Sequence, residues 1–285
     1  MTARPTDREE PFPFAAMLCL YAGNKAAEVE EALESAFVKQ SLPPEMLIVV
    51  FDGPVDDAVT EVIDRFVATH ETRRIVHQTC QGHGLARAAA IAACDHDWIA
   101  IIDADDVSLP DRFRTLINHA RAHPDAAVIG GGLTEFHDTA GERVLGAQRD
   151  FPESPEDVRR FLASRSPVAQ PTAILRTKAI REVGNYQTWY GNEDYHLWIR
   201  LVAAGFKIRN VADTVLLFRT NPALYGRRGG LRYWLSEVRL QLFSYKNGTT
   251  TFNRLVLGGA ARFVVQVLMP QKLRATFYQR ILRKL

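Results

Sequence analysis

Short, continuously apolar runs alternate along the chain with stretches whose apolar residues recur at helical spacing. AAMLCLY (15–21), EMLIVVFDGP (45–54), RRIVHQ (73–78) and DWIAIIDADD (97–106) read as strands. Between them, Lys25–Gln40 carries Val29, Ala32, Leu33, Ala36 and Phe37 on one helical face, and SLPP closes it. Ala58–Thr69 and Gly84–Cys94 read as the next two helices. Strands apolar on both faces, joined by amphipathic helices, predict an α/β fold with a mainly parallel central sheet covered on both sides. In such sheets ligands sit beyond the carboxyl ends of the strands, where Tyr21, Asp52 and Asp103–Asp106 fall.

The second half keeps the alternation less strictly. Ser108 reads as the N-cap of a helix Asp111–His123, with Pro110 in its first turn and Asp111 near its third position. AAVIGGGL (126–133) reads as a strand, and the polar stretch 134–154 as a hairpin or an excursion. Ser154-Pro155 opens a helix, SPVAQPTAILR (166–176) leads into a strand, and Thr177 caps a short helix that Gly184 stops. A periodic helix Glu193–Ala204, one or two strands over 207–219 and a helix Leu231–Tyr245 follow. These boundaries give a leader over 1–13, one domain over 14–250 and a basic amphipathic helical tail over 251–285.

Composition narrows the function classes. A net charge of +2 over 285 residues gives no whole-chain case for nucleic-acid binding. Cys19, Cys80 and Cys94 form no CxxC pair, which predicts reduced thiols in a cytoplasmic protein. The start, MTARPTDREEPFPF, lacks the basic-then-apolar order of a signal peptide. The longest apolar stretch, Leu255–Pro270, is interrupted by Arg262 and Gln266 and is shorter than the roughly 20 residues a spanning helix needs. Behind it, QKLRATFYQRILRKL carries Lys272, Arg274, Arg280, Arg283 and Lys284 and no acidic residue. That pairing suits a helix lying on an anionic membrane surface, at the inner face of the cytoplasmic membrane, through residues 255–285. A helix packed on the core with a solvated basic face is the competing reading.

IIDADDVSLPDRF (101–113) sets Asp103, Asp105 and Asp106 at the mouth of a buried strand. Three readings compete. Hard carboxylate oxygens could hold Mg²⁺ or Mn²⁺ and, through it, a diphosphate. DADDV could be the nucleophile motif of a haloacid-dehalogenase-like phosphatase, with Asp103 attacking, although that motif belongs on a first strand and here follows three βα elements. Or Asp105, Asp106 and Ser108 simply cap the next helix, which leaves Asp103 without a purpose.

The motifs in order settle the resemblance. LYAGNKAAEVEEALESAF, VVFDGP, GLARAAAIAAC, IAIIDADDVSLPDRF, QPTAILR, VGNYQTWYGNEDYHLWIRL and YGRRGGL resemble the family 2 nucleotide-sugar glycosyltransferases with the GT-A (Rossmann-like) fold. The likeness is to bacterial polysaccharide enzymes of the amylovoran-biosynthesis type. It implies an inverting transfer from a nucleotide-diphosphate sugar, a UDP-sugar first, to a glycan or lipid-linked glycan acceptor, with Mn²⁺ or Mg²⁺ as cofactor. By that resemblance Tyr21 and Ala22 line the nucleotide, Asp52 accepts from the base, and Arg87, at the glycine-rich entry to the third helix, reaches the nucleotide. Asp105 and Asp103 bind the metal, with Asp103 and Ala104 also against the nucleotide. Arg227 and Arg228 close over the diphosphate, and Asp194, or else Glu193, is the general base. Phe51, Ala90 and Gln170 stand where relatives usually carry an acidic residue, an asparagine and a histidine. A relative that binds nucleotide or glycan without turnover is therefore a further alternative, beside the phosphatase.

Overall fold

A computed structural model describes residues 11–139, 141–220 and 230–269. Its centre is a nine-stranded sheet in the order β3-β2-β1-β4-β8-β6-β9-β5, with β7 on β6. The first four strands are β1 (Ala15–Leu20), β2 (Met46–Asp52), β3 (Thr72–His77) and β4 (Trp98–Ile102). They pair in parallel, Leu18 lying between Val49 and Ile102. Successive residues of a strand face opposite sides, so the inner strands β1, β2 and β4 are apolar almost throughout, whereas the edge strand β3 is only partly buried. Leu18, Val49 and Ile102 pack under α1 (Ala26–Leu33), α2 (Asp57–Val67) and α4 (Arg112–Ala122). Met17, Ile48 and Ile101 pack under α3 (His83–Ala93), α6 (Thr177–Glu182) and α7 (Glu193–Ala203). Each such fully buried side chain contributes about 1.5–3 kcal/mol.

The parallel half ends at β4, whose next neighbour β8 (Ile174–Arg176) runs antiparallel to it. Beyond β8 lie β6 (Ala126–Thr139) and β9 (Lys207–Arg219), parallel to each other, and the two-residue β5 (Val107–Ser108) on the outer side of β9. The 134–154 stretch is a hairpin. β6 runs on to Thr139 and returns as β7 (Glu142–Arg149) before α5 (Pro155–Leu162). Residues 207–219 form one strand.

Two cap expectations fail for the same reason: a distant element claims the residue. Ser108 is strand, not N-cap. Its N–H donates to Ser35 Oγ and the next N–H, of Leu109, donates to Val215 O, so α4 begins only at Arg112 behind Asp111. Thr177 is the first helical residue of α6 rather than its cap, and its hydroxyl donates to His96 O at 2.7 Å, tying the helix to the entrance of β4. The long first helix also departs from a regular form. After Leu33 it widens into a π-helical turn, Glu34–Val38, which carries the Ser35 hydroxyl that receives Ser108.

Helices Leu231–Lys246 and Phe252–Phe263 form an antiparallel hairpin, the second ending in a π-helical turn, Val264–Leu268. Trp234 Nε1 donates to Gly259 O and the Gly230 N–H to Gln266 O. Arg262 Nη2 donates to Ser164 O and Thr250 Oγ1 to Ala163 O, both just past α5. The described part of the 251–285 segment is thus docked on the domain, and residues 270–285 lie outside the described residues. Among the described residues no helix is long and apolar enough to cross a membrane.

Candidate active site

The sheet brings the sequence-predicted residues together at the carboxyl ends of β1, β2 and β4, and α7 adds the second acidic pair beside them. Tyr21 closes β1, its N–H held by Asn24 Oδ1 at 2.7 Å and its ring edge-on to His83, centroids 5.4 Å apart. Ala22 beside it is exposed and Ala104 is buried. A cavity of about 60 Å³ opens between Tyr21, Asp52, Cys80, Gly82 and His83. A larger cleft of about 840 Å³, between Phe151, Ser154, Arg160 and Arg254, lies elsewhere and holds none of the predicted residues. Chemistry, not volume, therefore selects the site.

Asp52 is present at the site but turned to an internal task. Oδ1 accepts from the Gln81 N–H at 2.8 Å and meets His77 Nδ1 at 3.0 Å. Oδ2 accepts from the Gly82 N–H at 2.8 Å and the Cys80 thiol at 3.2 Å. Each oxygen already has two partners, the usual capacity of a carboxylate. Burial works against its charge, yet the Gln81 N–H, His77, Cys80 and Gly82 bonds prevail and hold its pKa below the ordinary value. These bonds fix the glycine-rich turn. Gly82 caps α3 at φ 94°, a left-handed conformation that glycine adopts without strain.

Arg87, one turn into α3, is buried and joins both acidic motifs. Nη2 donates to Asp103 Oδ1 at 3.1 Å and Nη1 to Glu193 Oε1 at 3.0 Å. Burial opposes its charge, but Asp103 and Glu193 outweigh burial and raise the guanidinium pKa. The pair following the Gly191 turn is thereby differentiated. Glu193 is the counter-ion of Arg87, while Asp194, in the first turn of α7, is half-buried beside it. Gly84 holds the two halves in contact: a Cβ built there would stand 2.7 Å from Gln187 O, in the loop before the pair.

Sequence reasoning missed what grips the DADD turn. The Arg219 N–H donates to Asp106 Oδ1 at 2.9 Å, and Arg219 Nε donates to Asp105 O at 2.8 Å. The rest of that guanidinium reaches Asp138 and Glu31. From beneath, buried Arg112 donates to Ile101 O and Pro171 O, both at 2.6 Å, and to Ser108 Oγ. The available signal was charge balance: three clustered carboxylates need cations, and Arg219 ends the apolar run VLLFR. Of the departures noted in sequence, Phe51 and Ala90 are buried in the core. Gln170 Nε2 donates to the buried Tyr186 hydroxyl at 2.9 Å, an internal bond. Arg227 and Arg228 lie outside the described residues.

The residues present fit a divalent cation. Burial, then Asp103, pushes the Asp105 carboxyl up to about 6. Burial, then Asp103 and Asp105, raises Asp106 well above the ordinary carboxyl value, and its buried Oδ2 has no partner among the described residues. A Mg²⁺ or Mn²⁺ ion would favour the charged form of these crowded carboxyls, whose hard oxygens suit it. Among the described residues no three acidic, histidine or cysteine side chains form a closed cage. A metal held by one or two carboxylates would take its remaining ligands from phosphate oxygens and water.

Comparison with known proteins bears on the fold and the family. The chain is 28% identical to an amylovoran biosynthesis glycosyltransferase, AmsE, of Erwinia amylovora, over 94% of this chain and 98% of that protein. It is 25% identical to the UDP-Gal:alpha-D-GlcNAc-diphosphoundecaprenol beta-1,3-galactosyltransferase of Escherichia coli, over 95% of this chain and 97% of that protein. Among solved structures, S. aureus TarS 1-349 in complex with UDP-GlcNAc superposes with a TM-score of 0.67 at 15% identity, covering 93% of this chain and 75% of that one. The mannosyltransferase PcManGT of Pyrobaculum calidifontis, in complex with GDP-Man and Mn²⁺, gives 0.62 at 15% identity, over 92% and 72%. These likenesses confirm the α/β GT-A fold. The model of glycosyl transferase family 2 matches residues 18–184, and the chain belongs to that family.

Proposed function

We propose that this glycosyltransferase moves a sugar from a nucleotide-diphosphate sugar, most readily a UDP-sugar, to a hydroxyl of a glycan or lipid-linked glycan acceptor in surface-polysaccharide biosynthesis, with inversion at the anomeric carbon. Asp194 takes the acceptor hydroxyl proton as that oxygen bonds to the anomeric carbon. The bond to the diphosphate breaks on the opposite face, and the nucleoside diphosphate leaves with the electron pair. Asp103 and Asp105 would hold Mg²⁺ or Mn²⁺, which supplies charge neutralisation for the departing diphosphate. Tyr21 packs against the nucleotide, and Asp52 keeps the glycine-rich turn at the helix N-terminus where phosphate is favoured. Arg227 and Arg228 add cations to the leaving group. The lipid-linked acceptor puts the enzyme at the inner face of the cytoplasmic membrane, with the basic segment 255–285 near the bilayer.

The observation that carries this reading is the Arg87 bridge between Asp103 and Glu193. One buried cation joins the donor-side and acceptor-side carboxylates, and its pairing with Glu193 makes that carboxylate the weaker proton acceptor of the two, which supports Asp194 as the base. Release of nucleoside diphosphate from donor plus acceptor tests it. Asp194→Asn should lower kcat by about 10²–10⁴, the usual worth of a general base. Asp105→Ala should remove the Mn²⁺ dependence of UDP binding measured by calorimetry. Full turnover by Asp194→Asn would overturn the assignment.

A further inference from the structure

The helix hairpin carries an apolar face that nothing in the described chain covers. On the helix Leu231–Lys246, Leu231, Leu235, Leu242 and Tyr245 are all exposed. They lie at i, i+4, i+11 and i+14, one stripe along the helix. The Tyr245 ring meets that of exposed Phe252 at 6.0 Å, edge-on, so the stripe runs on into the second helix. There Val256, four residues on from Phe252 and 50% exposed, extends it on the same face. Such a contiguous apolar surface marks an interaction site rather than scattered exposure.

Charge selects the partner. Over 231–269 the chain has Arg232, Arg239, Lys246, Arg254 and Arg262 against one acidic residue, Glu237, which Arg262 already pairs at 2.8 Å. Arg239 and Lys246 flank the stripe and are exposed. Isologous contact with a second copy would set these cations near one another without an acidic partner. A bilayer interface offers both a bed for the leucines and aromatics and anionic headgroups for the cations.

We infer that the hairpin 231–268 is a membrane-docking surface, which seats the apolar stripe in the interface of an anionic bilayer. The surface begins well ahead of the basic tail and borders the acceptor side of the site. Ser236 Oγ donates to Tyr190 O at 2.8 Å, and the Arg232 guanidinium lies over the half-exposed Tyr190 ring at 4.4 Å, in the loop that leads to Asp194. Docking through this face holds that loop against the lipid surface. The inference deepens the lipid-linked acceptor reading but stands on a different surface from the reacting groups.

Co-sedimentation of the full chain tests it, with vesicles of phosphatidylcholine alone and of phosphatidylcholine with phosphatidylglycerol. The chain should bind the anionic vesicles, salt should release it, and the double variant Leu235→Asp/Leu242→Asp should weaken binding about tenfold or more. Both sites are exposed, so melting and turnover on a water-soluble acceptor should be unchanged; that turnover reports the transferase reading separately. Absence of vesicle binding overturns the inference. Unchanged binding by the double variant overturns it too, because contact then lies elsewhere, as in residues 270–285. A dimer in solution that the double variant converts to monomer also overturns it, assigning the face to a second copy.

Discussion

Asp52→Asn separates two tasks for one carboxylate. If Asp52 reads the base, its loss discriminates among nucleotides; if it fixes the turn 80–82, its loss weakens all of them alike. Two main-chain N–H groups reach it at 2.8 Å, with His77 and the Cys80 thiol on the same oxygens. Hydrogen bonds to a charged acceptor contribute about 1.5–3 kcal/mol each. Asparagine keeps one acceptor oxygen and sets an NH₂ against the donors on the other, so about 2 kcal/mol is lost from the ordered turn. Where binding must restore that order, affinity falls by about 30-fold. Calorimetric titration with UDP, GDP and CDP measures it, and the ratios among the three should match those of the parent protein. A fall confined to UDP, or no fall for any nucleotide, refutes the turn-fixing role.

Further outcomes follow from other contacts. Arg87→Met leaves Asp103 and Glu193 facing each other without a cation; turnover should drop by about 10²-fold or more, and Arg87→Lys, a point charge in place of a fork, should restore only part of it. Gly84→Ala places a methyl 2.7 Å from Gln187 O and should cost about 1–3 kcal/mol in thermal stability while raising acceptor KM more than donor KM. His196, stacked on Trp189 at 4.3 Å, has its pKa pushed from 6.5 to about 4 by burial and then Arg200. The unfolded chain binds that proton first, so stability is complete above pH 6.5 and falls toward pH 4, by at most about 3 kcal/mol. Denaturant midpoints across that range should show it, and His196→Phe should flatten the slope.

The parallel half was legible because its strands are apolar on both faces and its helices periodic, both local signals. DADD stood out as charge concentrated where the apolar pattern stops, whereas the Glu193-Asp194 pair drew notice only through the family resemblance. What escaped reading depends on partners far along the chain. Ser108 looks like a helix cap until Val215 takes the N–H beside it, and Asp52 looks free for a ligand until residues 77–82 fold back onto it. Arg219 is 113 positions from Asp106. No local window joins them, so the clamp on the acidic turn emerges only from the strand order.

The same clamps bear on synthesis from the N-terminus. When residue 122 has been made, β1 to β4 and every carboxylate of DADD exist, but Pro171 O, which Arg112 must reach, and Arg219 do not. Until β9 is complete the acidic turn has neither the strand that β5 pairs with nor its outer cation. A growing chain therefore carries the DADD carboxylates long before it can hold them in place, and the acidic turn is completed late in domain synthesis rather than early. Ribosome-bound chains released after β8 would be expected to fold the parallel sheet without gaining nucleotide affinity.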